Sequence, residues 1–168
     1  MAAKKLSEDK YLDPVFLKYG KKVYTYEYIE KLRKENLQLK KDGKPIYNLI
    51  PQKGFQETVL LTQADIKIVG GRRGAGKSFV ALFEALPYMF NPDVNMYGFR
   101  KYEDDVKRGI WKASKQVYRG FGLASDSYFE WKFLNGKGAT MKMEHLAEEK
   151  KVSDRFRGVE MAYILIEE

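Results

Sequence analysis

An α/β domain built on a mainly parallel sheet is what this sequence predicts, on three observations. Strand-like apolar runs alternate with helix-like ones from residue 64 onward. A glycine-rich stretch, GGRRGAGKS at residues 70–78, falls between a predicted strand and a predicted helix. The run AYILIEE at residues 162–168 is five apolar or aromatic residues followed by two carboxylates. A buried parallel strand presents acids at its C-terminal edge in this way.

The elements follow in order. Residues 1–23 are mixed and basic, and are expected to be irregular with short helical pieces. From Thr25, TYEYIEKLRKENLQLKKDGKP has Ile29, Leu32 and Leu37 on one side of a helix that stops at Asp42-Gly43. Its stripe packs on the domain core or on a partner. Residues 1–45 thus form a basic, partly helical extension, and 46–168 form the α/β domain, opening with a connector over 45–57. ADIKIVGG, at 64–71, is a short strand running into glycines. KSFVALFEALPYMF is a buried helix on Phe79, Leu82, Phe83, Leu86 and Met89, which Pro87 kinks or ends.

NMYGFRK is a second strand. YEDDVKRGIWKASKQVYRGFG is a helix with Val106, Ile110, Ala113 and Val117 inward; Glu103, Asp104 and Asp105 suit its N-terminus. YFEWKFLNGKGATMKMEHL alternates with period two on both sides of Asn135-Gly136, a hairpin signal. A charged loop, AEEKKVSDRFRG, leads to the last strand. Trp111 and Trp131 read as core, and the lone His145 as a surface or structural residue.

Composition narrows the function classes. The chain has 168 residues, 44% of them hydrophobic, enough for one globular domain plus a small appendage. No stretch approaches about 18 consecutive apolar residues, so no membrane association is expected. MAAKKLSEDKYLD lacks the apolar core of a secretory signal. Cysteine is absent, which excludes a disulfide framework or a thiolate metal site and fits a reducing cytoplasm. The formal charge of +8 favours a polyanionic partner such as nucleic acid.

The most specific signal is the glycine-rich stretch, because its last eight residues fit G-x-x-x-x-G-K-[ST], the P-loop pattern. Gly71, Gly74 and Gly76 permit a backbone whose amides turn inward onto phosphate oxygens, with Arg72, Arg73 and Ala75 completing the loop. Lys77 reaches the β and γ phosphates of ATP, and the Ser78 hydroxyl ligates Mg²⁺. The helix that starts there turns its positive end to the anion. Proteins with this loop hold the metal with a carboxylate at the end of a neighbouring strand. Here that acid is Glu167, acting on Mg²⁺ through water, while Glu168 is the base for the attacking water. Two adjacent acids are the pattern of ATPases that power mechanical work. The guanine motif Asn-Lys-x-Asp does not occur.

From about residue 50 onward the chain resembles the N-terminal ATPase domain of bacteriophage large terminase subunits, the DNA-packaging motors. That family carries a loop like GGRRGAGKS, with Arg73 in its arginine position and Arg72 replacing a glycine. Upstream it places an adenine-contacting glutamine, for which PQKGFQETVLL offers Gln56, with Gln52 the weaker candidate. FRK at residues 99–101, the Asn-Gly hairpin and Arg157-Gly158 before the last strand follow in the family's order. The last strand ends Glu-Glu where many members have Asp-Glu, so a carboxylate stands in each place.

The resemblance implies a P-loop ATPase of the additional-strand, catalytic-glutamate type with a β-hairpin insertion. It would hydrolyse ATP to drive double-stranded DNA into a procapsid in the host cytoplasm. The partners implied are portal protein, a small terminase subunit and further copies in a ring. Arg73 would clamp the γ-phosphate, and Arg157, or failing that Arg155, would act on the neighbouring subunit's nucleotide. Members continue with further strands and a nuclease domain, so this chain is expected to be a fragment, incomplete after its last strand, with weak or absent turnover alone. The alternatives are another nucleic-acid-translocating ATPase such as a helicase-like motor, a non-catalytic nucleotide-binding or partner-docking fragment, and, more remotely, a P-loop phosphotransferase.

Overall fold

A computed structural model describes residues 25–46, 49–62, 64–72, 74–147 and 149–167. The expectations placed on residues 1–24, on Arg73 and on Glu168 lie outside the described residues. Two units make up the rest, residues 25–84 and residues 85–167.

In the N-terminal unit, helix α1 spans Tyr26–Lys41. Thr25 caps it, its hydroxyl accepting from the Tyr28 N–H at 3.2 Å. Past its end Gly43 takes φ +65°, as the Asp-Gly stop signal predicts. The apolar stripe is narrower than expected: Ile29 is fully buried, Leu32 half-buried, and Leu37 64% exposed. Arg33 supplies much of the attachment instead. Its guanidinium pairs with Glu57 and donates to Glu30 at 2.6 Å and to the Pro51 carbonyl at 2.5 Å.

Helix α2, Phe55–Leu61, begins inside the stretch expected to be a connector. Gly54 at φ +84° turns the chain, and its N–H donates to the Glu57 carboxylate at 3.0 Å, satisfying an otherwise orphaned donor of the first turn. Residues 64–72, expected to begin with a strand, form none. Ile66 and Ile68 are 83% and 96% exposed, while Lys67 turns inward to the Glu84 carboxylate and the Val59 carbonyl. A strand exists only by pairing, and all five strands among the described residues lie beyond Ala85. Helix α3, Lys77–Glu84, buries Val80, Leu82 and Phe83. Pro87 stops it as expected: a proline lacks the N–H that Phe83 would accept, and Leu86–Phe90 tighten into a 3₁₀ turn.

The C-terminal unit is a five-stranded mixed sheet flanked by helices. Its elements are β1 (Asn95–Arg100), α4, β2 (Gly122–Ser125), β3 (Glu130–Phe133), β4 (Thr140–His145), α5 (Glu149–Arg155) and β5 (Tyr163–Ile166). Helix α4 consists of Glu103–Asp105, a π-helical Val106–Trp111 and Lys112–Val117. Strand order is β2-β3-β4-β1-β5, with β1 parallel to both β4 and β5 and β3 antiparallel to both β2 and β4. The expected mainly parallel sheet is therefore corrected to a mixed one. The Asn135-Gly136 turn, where Leu134, Asn135 and Gly136 all have positive φ, lays β3 antiparallel on β4. A second short turn folds β2 onto β3. Connections this short join only antiparallel strands.

The sheet's two faces are filled differently. On one, Gly98 of β1 leaves room for Met143 of β4 and Ile110 of α4; a Cβ there would lie 2.5 Å from the Met143 sulfur. On the other, Phe156 sets its ring edge-on to Tyr97 and Phe99, each at 5.4 Å. Trp111 and Trp131 are core residues, 2% and 4% exposed, and the Trp131 indole donates to the buried Ser114 hydroxyl at 2.9 Å. The charged run before β5 forms α5 instead of a loop. No described helix is long and apolar enough to cross a membrane.

Candidate active site

The glycine-rich stretch takes up the backbone its composition predicts. Gly71, Gly74 and Gly76 have φ of +150°, +87° and +75°, a region side-chain-bearing residues rarely enter. Between them the Ala75 N–H donates to the Arg72 carbonyl at 3.2 Å, closing a turn. Helix α3 begins at Lys77, and the Val80 N–H donates to the Gly76 carbonyl at 3.0 Å. The Lys77 ammonium curls back onto the loop, donating to the Gly71 carbonyl at 2.8 Å and the Arg72 carbonyl at 3.3 Å. Gly71, Arg72 and Gly74 are exposed, and Ser78 is half-buried at the helix start. Loop, helix start and ammonium thus share one side of the N-terminal unit, with the means to hold an anion.

Gln56 belongs to the same place. It is only 4% exposed. Its side-chain oxygen accepts from the Gln52 N–H at 2.8 Å. Its amide nitrogen lies 2.1 Å from where a Cβ on residue 76 would sit, so the glycine is what admits it. Gln52, the weaker candidate, is exposed.

The C-terminal unit carries the acid. The Glu167 N–H donates to the Phe99 carbonyl at 2.9 Å, extending the pairing of β5 with β1 by one residue. Its carboxylate receives two N–H groups of Arg100, Nη2 at 2.9 Å and Nε at 3.2 Å. Both side chains are mostly buried, 13% and 19% exposed. Gly109 in the π-helical turn of α4 provides the seat, since a Cβ there would stand 2.8 Å from the guanidinium carbon. His145 ends β4 in register with Arg100, and its Nδ1 is buried with no hydrogen-bond partner among the described residues.

Arg157 lies on the surface, 80% exposed and donating to Asp154 at 2.8 Å. Arg155 instead ties α5 to Glu144 of β4 at 2.8 Å. Among the described residues no three His, Cys, Asp or Glu side chains gather to hold a metal. Ser78 in the N-terminal unit and Glu167 in the C-terminal unit each carry an oxygen of the kind Mg²⁺ takes.

Arg100 is the residue that reading the sequence missed as a partner for Glu167. Its signal was present: the arginine closes NMYGFR as the glutamates close YILIEE, so two parallel neighbours end level with each other. The charges meet only when β1 and β5 are adjacent.

Two expectations follow from this packing. Gly76→Ala should cost about 2–4 kcal/mol, from the left-handed backbone and the collision with Gln56. In a Gln56→Ala background the same change should cost less, leaving only the backbone part, as a double-mutant cycle in urea would read. Additive effects would contradict the contact. Arg100→Ala should destabilise the chain by about 1–3 kcal/mol, since a mostly buried carboxylate loses its cation. Arg100→Lys should recover only part of this, because an ammonium cannot reproduce the fork; a loss under about 0.5 kcal/mol would place the pair among weak surface bridges.

Compared with protein-family models, with curated proteins and with solved structures, the chain matches none, so what this site does is read from its own residues.

Proposed function

We propose that this chain is the nucleotide-binding part of an ATPase that drives double-stranded DNA into a viral procapsid, a P-loop domain like that of large terminase subunits. One observation carries the nucleotide part: three glycines at positive φ inside GGRRGAGKS lead directly into a helix whose first residue is lysine. The motor, the DNA and the procapsid come from the terminase-like order of motifs.

Each residue then has a role. Amides of the glycine-rich loop would face the phosphates, and Lys77 would leave its two carbonyls to neutralise charge on the β and γ groups. Ser78 and Glu167 hold Mg²⁺, the latter through water. When bound, the ion would supply positive charge to offset that of the phosphates. Glu168 takes the proton of the attacking water, Arg73 steadies the γ-phosphate, and Gln56 meets the adenine. Arg157, exposed as a group acting on another subunit must be, supplies charge across a ring contact. Portal protein and a small terminase subunit are its further partners.

The Arg100–Glu167 ion pair favours a second reading, a nucleotide-binding module without turnover, since a guanidinium already engages Oε2 of the carboxylate that would serve the metal. ATP turnover in the presence of duplex DNA that is lost in Glu168→Gln would exclude the second reading.

Calorimetry with Mg²⁺ and ATP tests the nucleotide claim. The wild-type chain should bind, and Lys77→Ala should bind at least ~10-fold more weakly, about 1.4 kcal/mol. Equal binding by both, or none by either, would contradict a working phosphate loop in this chain.

A further inference from the structure

Helix α4 bears four cations that no step of nucleotide chemistry uses. Lys107, Arg108, Lys112 and Lys115 line a groove of ≈ 620 Å³, with Trp111 and Phe129 at its back. Its lining includes one acid, Asp126. That carboxylate accepts from the Trp111 indole at 2.7 Å and pairs with Lys115. Lys115, then the indole N–H, hold it below the usual carboxylate range, so it stays charged and pins the groove wall at neutral pH. Arg108 lies 3.6 Å from Asp104, but both are about four-fifths exposed, so that pair screens little. The lining is therefore net basic by three charges, four cations less one acid.

We infer that this groove binds the sugar–phosphate backbone of duplex nucleic acid. From Lys107 to Lys115 the helix advances on the order of 10 Å, the span of roughly three phosphates on one strand. Base stacking is not offered: Trp111 is 2% exposed, with Phe129 at 5.7 Å and Trp131 at 5.9 Å against its ring. Single-strand binders instead present open aromatic faces. The cations of the groove suit phosphate oxygens, and such contacts fix position on the duplex and carry no sequence information directly. The inference rests on the proposed function for DNA as the polymer, and is independent of ATP hydrolysis.

Fluorescence anisotropy with a 30-base-pair DNA duplex, titrated at several salt concentrations, tests it on the full chain. Lys107→Ala/Lys112→Ala removes two exposed cations of the groove. Lys31→Ala/Lys34→Ala removes two exposed cations of α1 as a charge-matched control. The groove variant should bind at least roughly tenfold more weakly at ~0.1 M salt, with a salt slope smaller by about 2. The control should bind like wild type. Equal weakening in groove and control variants means diffuse attraction and overturns the groove, as does tighter binding of a single strand of the same sequence. A wild-type chain that ignores duplex at every salt concentration overturns the DNA part of the proposed function as well. DNA binding kept in full by the groove variant overturns the groove alone.

Discussion

Strand β1 pairs in parallel on both of its sides, and that double pairing decides which charged side chains of the C-terminal unit can meet. Parallel neighbours run the same way, so β4, β1 and β5 all end at one edge of the sheet, where open α/β sheets bind ligands. Register then sets His145 level with Arg100, and the residue after β5, Glu167, beside Arg100 on the other flank. Laterally paired residues share a face, so the two charges meet without reaching. The rest of the unit accommodates that meeting. α4 departs from α-helical geometry between Val106 and Trp111, and the residue over the guanidinium is the one with no side chain, Gly109. π-helical turns of this kind gather at functional positions.

The N-terminal unit solves a different problem, holding a glycine-rich loop in one shape when glycine itself favours many. Gln56 wedges against Gly76 and is held by the Gln52 N–H, while Lys77 bridges the carbonyls of Gly71 and Arg72. Arg33 binds α1 to α2 and to the Pro51 carbonyl, so the helix carrying Gln56 is itself anchored. The Lys77 contacts lie where an anion would enter. They are also the ones a phosphate would replace, because an ammonium prefers an anionic oxygen to a neutral carbonyl.

Much of this was legible in the residues because the signals are local. Asp42-Gly43, Pro87 and Asn135-Gly136 end or turn the chain through their own backbone limits, and each does so here. The glycine spacing of the loop likewise needs no distant partner. What could not be read locally were features made by pairing. ADIKIV has the composition of a strand, yet it pairs with no strand among the described residues, and Lys67 finds Glu84 instead. GLAS is too short and too small-sided to announce itself, and becomes β2 only because β3 lies beside it. Two short turns made half the strand pairs antiparallel, which an argument from alternating helices and strands cannot foresee. Arg100 and Glu167 stand 67 positions apart, and only the strand order joins them.

The central claim is that residues 71–78 form a nucleotide phosphate loop, and amide hydrogen exchange with and without Mg²⁺ and ATP reads those backbone groups directly. If phosphate oxygens accept from the loop, exchange over 71–78 should slow on adding ATP and stay unchanged in Lys77→Ala. Protection confined to other segments, with 71–78 exchanging as fast as before, would contradict the account.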